Sequence, residues 1–137
     1  MKEKIALVTG GSSGLGKKIA EELLKNGFLV YLVGRNEEKL KDTIQEFQQK
    51  YTSSVYYFCG DVSNEEFVKK IYLDLEKKNL TIDYLFNCAG VGRFGKVEEN
   101  TLEKINVAFS GSLVGLILMS SYYVKQYKNK GGTAARL

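Results

Sequence analysis

Four short apolar runs alternate with amphipathic segments along this chain, and no other feature limits its fold so narrowly. The runs, taken as strands, are residues 5–8, 28–33, 55–59 and 83–86. Each is followed by a stretch in which apolar residues recur at the spacing of one helix face. Strands that are apolar on both faces are typical of a parallel sheet covered by helices on each side. We therefore predict one doubly wound α/β domain over residues 1–137, with strand order 3-2-1-4.

Polar residues at the start of two helical segments predict where those helices begin. Asn36 directly precedes the second segment and is its predicted N-cap. Ser63, with Glu66 three residues later, has the spacing of a capping box and is predicted to open the third helix. A fourth, longer helix is predicted over residues 100–128.

Part of this last helix, residues 105–124, is apolar and long enough to cross a membrane. It contains Gly111 and Gly115 at the spacing of a membrane-packing motif. Asn106 and four serines lie in the same stretch, and a helix packed on a sheet and against a partner subunit accounts for them better. The apolar run near the N-terminus is too short for a signal peptide. We therefore expect a cytoplasmic protein with no membrane partner.

Composition excludes several kinds of site. The chain contains no His, and two cysteines alone cannot complete a tetrahedral zinc site, so no metal site is predicted. The net charge of +4 arises from 20 basic and 16 acidic residues that are interspersed, so no nucleic-acid partner is expected. In the predicted strand order, Cys59 and Cys88 end strands that lie ~14 Å apart. That distance is too long for a disulfide.

A glycine-rich loop joins the first strand to the first helix. Residues 9–16 read Thr-Gly-Gly-Ser-Ser-Gly-Leu-Gly. Glycines let a backbone turn sharply and approach a pyrophosphate, which then lies on the helix N-terminus, and Ser12 and Ser13 add hydroxyl donors. A glycine pattern alone can be a simple connection, but this one has the strand before it and the helix after it that dinucleotide binding requires.

The loop has the spacing Thr-Gly-x-x-x-Gly-x-Gly, and here the sequence resembles the short-chain dehydrogenase/reductase family. Asp61-Val62, after the third strand, resembles the pair that contacts adenine in that family. Asn87-Cys88-Ala89-Gly90, after the fourth strand, resembles its Asn-Asn-Ala-Gly element, with Cys in place of the second Asn. The resemblance extends from residue 4 to about residue 133. It implies a Rossmann-like fold and hydride transfer between a nicotinamide cofactor and a small carbonyl or alcohol substrate.

The resemblance also assigns cofactor-binding residues, all of them close to the ends of the four strands. For the pyrophosphate these are Gly10, Ser12, Ser13, Gly14, Leu15 and Gly16; for the adenine, Asp61 and Val62; for the ribose and nicotinamide side, Asn87, Ala89 and Gly90.

The end of the second strand bears on the choice between NAD and NADP. Members that prefer NAD usually carry an acid there, whereas this chain has Arg35 followed by Asn36. A guanidinium offers a planar set of donors that suits a phosphate. We therefore expect NADP, with Arg35 and Asn36 near its 2′-phosphate; the alternative is an Arg at a strand end with no ligand.

The catalytic residues of the family are matched poorly. The family uses a Tyr with a Lys four residues later, and none of the nine tyrosines here has that partner. The family's Asn on the long helix, three residues before a Gly, corresponds to Ser112. Ser112 is therefore our one catalytic candidate, as a residue that binds a water, although it can equally be an ordinary serine on a packed helix.

Three interpretations follow. The first is the cofactor-binding part of an NADP-dependent reductase that lacks its C-terminal catalytic portion and forms a homo-oligomer through the long helix, as relatives commonly do. The second is a nucleotide-binding or interaction module without catalysis. The third is a truncated or frameshifted product with no role of its own. The resemblance favours the first.

Overall fold

A computed structural model of the protein describes residues 3–89 and 101–129. Strands and helices alternate in the order β1 Ile5–Thr9, α1 Gly14–Lys25, β2 Leu29–Gly34, α2 Glu37–Lys50, β3 Val55–Cys59, α3 Glu65–Lys77, β4 Tyr84–Asn87, α4 Leu102–Phe109 and α5 Gly115–Asn129. A π-helical turn, Ser110–Val114, joins α4 to α5. The four predicted strands are all present, and each end lies within one residue of its predicted position.

The four strands form one parallel sheet in the order β3-β2-β1-β4, which confirms the prediction. In the register of β1, Thr9 lies beside Val33 on one side and Asn87 on the other. Gly34 at the end of β2 lies beside Cys59 at the end of β3. The carboxyl ends of all four strands therefore reach the same edge of the sheet.

Each face of the sheet carries its own apolar layer, because successive strand side chains point in opposite directions. Leu7 packs on the side of α3 and α5, in a cluster with Ile71 and Met119. Val8, the next residue, packs on the side of α1 and α2, with Leu24. Helices thus cover both faces, as the doubly wound prediction requires.

One of the two predicted N-caps is confirmed and one is wrong. The side chain of Asn36 accepts a hydrogen bond from the backbone N–H of Lys39 at 3.1 Å. At α3, however, the cap is Asn64, which accepts from the N–H of Phe67 at 3.2 Å. Ser63 lies one residue before this cap, and its hydroxyl donates to Asp61 Oδ1 at 2.7 Å.

The segment Leu102–Lys128 has the length and apolar composition of a membrane span. Its inner face is nevertheless built into the fold. Met119 and Tyr123 are buried, and the Tyr123 hydroxyl donates to the carbonyl oxygen of Asp83 at 2.7 Å. Gly115 lies so close to Val62 that any side chain there would collide with it. The small residue thus serves a contact within this chain.

Candidate functional site

A cleft of about 240 Å³ lies at the carboxyl edge of the sheet, between the ends of β1, β2 and β3. Eight of the predicted cofactor residues line it: Gly10, Ser12, Ser13, Arg35, Asn36, Asp61, Val62 and Ala89. Val33, Gly34, Lys39 and Gly60 complete the lining. The topology therefore gathers into one place residues that lie up to 79 positions apart in the sequence.

The first and last glycines of the loop are required by close backbone contacts. Gly10 has φ +67°, and a Cβ on it would lie 2.8 Å from the carbonyl oxygen of Cys88. A Cβ on Gly16 would collide with the carbonyl oxygen of Gly10. These contacts bring the start of α1 tightly against the ends of β1 and β4, the approach that a bound pyrophosphate needs.

The N-terminus of α1 is unlike those of α2 and α3. Its N-cap, Ser13, makes no side-chain capping hydrogen bond, and its first turn holds no acidic residue. The other two helices each have an asparagine cap and two glutamates in the first turn. Backbone N–H groups and the positive end of the helix dipole are thus left available at α1, where an anion is stabilised.

Gly14, the first residue of α1, adds room at this end. Its φ is +55°, and among the described residues no heavy atom outside its own turn lies within 4 Å of the position that a Cβ would take. Leu15 follows it and is 69% exposed. Gly14, Leu15 and Gly16 do not line the cleft itself but form the turn of α1 next to Ser12 and Ser13.

Thr9, which the sequence patterns did not single out as a site residue, fixes one wall of the cleft. It is 1% exposed, and its hydroxyl oxygen accepts from the backbone N–H groups of Cys88 and Ala89, both at 3.0 Å. The same hydroxyl points to the carbonyl oxygen of Phe86 at 3.5 Å. Its position directly before the first glycine, at the end of a buried strand, was the available signal.

Asp61 is held at the edge of the cleft by Ser63, which donates to Asp61 Oδ1 from its backbone N–H at 2.9 Å and from its hydroxyl. Burial alone raises the pKa of Asp61. The two hydrogen bonds from Ser63 and the positive charge of Arg35 outweigh that effect, so the pKa lies below its ordinary value. Asp61 therefore stays ionised at neutral pH and can accept a hydrogen bond from a ligand.

Arg35 is exposed at the end of β2 and makes no ion pair within the described part of the chain. It also borders a second cavity, of about 580 Å³, which extends toward Leu102 and Asn106 of α4. Asp61 lines both cavities, so they adjoin. Cavities of this size accommodate a small organic ligand.

Three further predicted residues lie elsewhere. Asn87 does not line the cleft; its Nδ2 donates to Ser120 Oγ at 3.2 Å, and its buried Oδ1 has no partner within residues 3–89 and 101–129. Ser112 lies exposed in the π-helical turn, a feature often found at functional sites. Gly90 lies outside the described residues. Both cysteines are free.

Comparison with known proteins agrees with the family resemblance found in the sequence. The family model described as short chain dehydrogenase matches residues 4–135. An uncharacterized oxidoreductase of Thermotoga maritima is 33% identical over 131 residues, which are 94% of this chain and 50% of that protein. This chain spans between 35% and 51% of the length of the curated relatives compared.

Among solved structures, an alcohol dehydrogenase of Thermococcus sibiricus complexed with 5-hydroxy-NADP is 27% identical, with a TM-score of 0.82, and the match covers 96% of this chain and 56% of that one. The L-sorbose reductase of Gluconobacter frateurii, complexed with NADPH and L-sorbose, is 26% identical with the same TM-score. That match covers 96% of this chain and 50% of the reductase.

Proposed function

Because the chain belongs to the short-chain dehydrogenase family, we propose that its cleft binds NADP(H) in preference to NAD(H). The reaction served is hydride transfer between this cofactor and the carbonyl or alcohol carbon of a small substrate. Two similar solved structures hold NADP-type cofactors, which favours NADP over NAD.

The observation that carries the proposal is the open N-terminus of α1. Ser13 leaves the first-turn N–H groups uncapped, no acid competes for them, and Gly14 presents empty space on the same turn. A pyrophosphate fits these donors, with the hydroxyls of Ser12 and Ser13 beside it. The combination is more specific than the glycine spacing alone, because it adds uncapped N–H donors and open space to that spacing.

Arg35 and Asp61 are proposed to bind the adenosine half of the cofactor. The Arg35 guanidinium is free to form charge-assisted hydrogen bonds to a 2′-phosphate. The ionised Asp61, oriented by Ser63, can accept a hydrogen bond from the adenine amino group. Arg35 thus distinguishes the two cofactors, whereas Asp61 contributes equally to both.

When bound, NADPH supplies the hydride, and the residues of this chain hold the cofactor in place. Thr9 fixes the backbone of Cys88 and Ala89, so that Ala89 forms a rigid wall of the cleft. Ser112 is proposed to hold a water at the π-helical turn. The chain contains no tyrosine with a lysine four residues later. Cofactor binding, rather than hydride transfer, is therefore the property of these residues that an experiment can measure.

Titration calorimetry with NADPH and NADH tests the proposal on the protein and on its Arg35→Asp variant. We expect NADPH to bind at least about tenfold more tightly, since a hydrogen bond to a charged group contributes about 1.5–3 kcal/mol. Arg35→Asp removes the phosphate ligand, adds an acceptor for ribose hydroxyls and should reverse the preference. Lys77→Asp, an equal change of charge at the far end of α3, is the control and should leave it intact. Equal affinities in the unsubstituted protein would overturn the proposal.

A further inference from the structure

Lys39 lines the cleft together with Arg35 and Asn36, although no motif in the sequence points to it. It lies in the first turn of α2, where the backbone leaves β2 and passes the carboxyl edge of the sheet. A basic side chain at this place bears on which cofactor the cleft can hold.

The backbone of Lys39 is fixed on both sides. Its N–H donates to Asn36 Oδ1 at 3.1 Å, and its carbonyl oxygen accepts from the Thr43 hydroxyl at 2.8 Å. Side chains on a helix lean toward the helix N-terminus. For α2 that direction leads to the cleft, so Lys39 extends toward the side of Arg35.

Two other lysines of α1 and α2 form ion pairs with glutamates of α2. Lys17 pairs with Glu46 at 3.3 Å, and Lys41 pairs with Glu37 at 3.0 Å. Neither Lys39 nor Arg35 makes an ion pair with any residue that the structure describes. Lys41 pairs with Glu37 of the same turn, so two cations that make no ion pair among the described residues, Arg35 and Lys39, border one cavity with a single carboxylate, Asp61.

We propose that Lys39 binds the 2′-phosphate of NADP together with Arg35, so that the preference for NADP depends on two cations. A phosphate monoester carries close to two negative charges at neutral pH, which two cations neutralise better than one. NAD has only a hydroxyl at that position and gains nothing from Lys39. The inference rests on the proposed function of the cleft.

The experiment uses two fragments of the cofactor, 2′,5′-ADP and AMP, which differ by the 2′-phosphate alone. Each is titrated by calorimetry into the protein, into Lys39→Met and Lys39→Arg, and into the control Lys41→Met. Lys39→Met should weaken binding of 2′,5′-ADP about tenfold, the effect of one charge-assisted hydrogen bond near the lower end of its range. Binding of AMP should change less than about twofold. Lys39→Arg keeps the charge and should retain most of the affinity.

Lys41→Met removes the same charge two residues away and should change neither affinity. The inference is overturned if Lys39→Met binds 2′,5′-ADP as the unsubstituted protein does, if both fragments weaken equally, or if the control behaves like Lys39→Met. If the unsubstituted protein nevertheless binds 2′,5′-ADP more tightly than AMP, the proposed function stands. An unsubstituted protein that binds the two fragments equally would instead overturn both.

Discussion

Replacing Gly14 by alanine should weaken cofactor binding by more than its loss of stability can explain. At φ +55° an alanine adopts the left-handed conformation, which costs about 1–2 kcal/mol, and in the part of the chain that the structure describes no atom outside the same turn lies within 4 Å of the added methyl. Gly27, just beyond the other end of α1, offers a matched control. Its φ is +82°, a Cβ there would also meet no described atom within 4 Å apart from those of its chain neighbours, and Gly27→Ala should therefore cost about the same free energy of unfolding.

The two substitutions differ in what their methyl groups face. The methyl of Gly14→Ala would occupy space at the open end of α1, where we place the pyrophosphate, and would displace it from at least one backbone N–H. A hydrogen bond to a charged group contributes about 1.5–3 kcal/mol, so NADPH should bind roughly tenfold to a hundredfold more weakly. Gly27→Ala should bind NADPH as the unsubstituted protein does.

Thermal denaturation of both variants, followed by titration with NADPH, separates the two effects. Equal losses of stability with a loss of affinity in Gly14→Ala alone are the expected result. The reasoning would be refuted if Gly14→Ala bound NADPH normally, or if Gly27→Ala lost as much affinity.

Three more predictions concern single contacts. Thr9→Val leaves the N–H groups of Cys88 and Ala89 unpaired and should cost about 2 kcal/mol or more in denaturant unfolding, whereas Thr9→Ser, which keeps the hydroxyl, should cost about 1 kcal/mol. Ser63→Ala should raise the pKa of Asp61 and so lower the free energy of unfolding. This loss is complete above about pH 4 and disappears as the pH falls through the lowered pKa that Asp61 has in the unsubstituted protein, which thermal melts across the acid range can follow. The protein should self-associate in sedimentation experiments, because Ile117 on α5 is 52% exposed and β4 is an edge strand of the sheet formed by the described residues. Ile117→Glu should weaken the association.

Each of these predictions can fail separately. Thr9→Val as stable as Thr9→Ser would mean that the hydroxyl does not hold the end of β4. A stability difference for Ser63→Ala that persists undiminished in strong acid would contradict the role given to the Asp61 carboxylate. A monomer at every concentration tested would show that the apolar face of α5 drives no association.

The sheet could be predicted because each strand is a continuous apolar run with glycine or polar residues at its end. Leu7 and Val8 are both apolar because both faces of β1 are covered, and that local pattern alone indicates a buried parallel strand. The cap at Asn36 was predictable for the same reason, since its partner lies three residues away.

Features that depend on distant residues were not accessible in this way. Ser63 and Asn64 are both good caps in sequence, and only the structure shows that Asn64 accepts from the N–H of Phe67 while Ser63 bonds to Asp61. Lys39 could be noticed only when its neighbours were seen to be paired and the cleft to be lined by its side chain. The contact of Gly115 with Val62 joins α5 to a loop more than fifty residues earlier in the chain.

The location of the cofactor is the central claim, and the backbone amide signals of the protein during titration with NADPH test it most directly. We predict that shifts are concentrated in the first turn of α1, at Arg35 and at Asp61, which border the cleft at the carboxyl edge of the sheet. An alternative binding site is a cavity of about 350 Å³ between α3 and α5, lined by Tyr72 and Tyr122 among others. Shifts confined to that cavity, or none at saturating NADPH, would contradict the account.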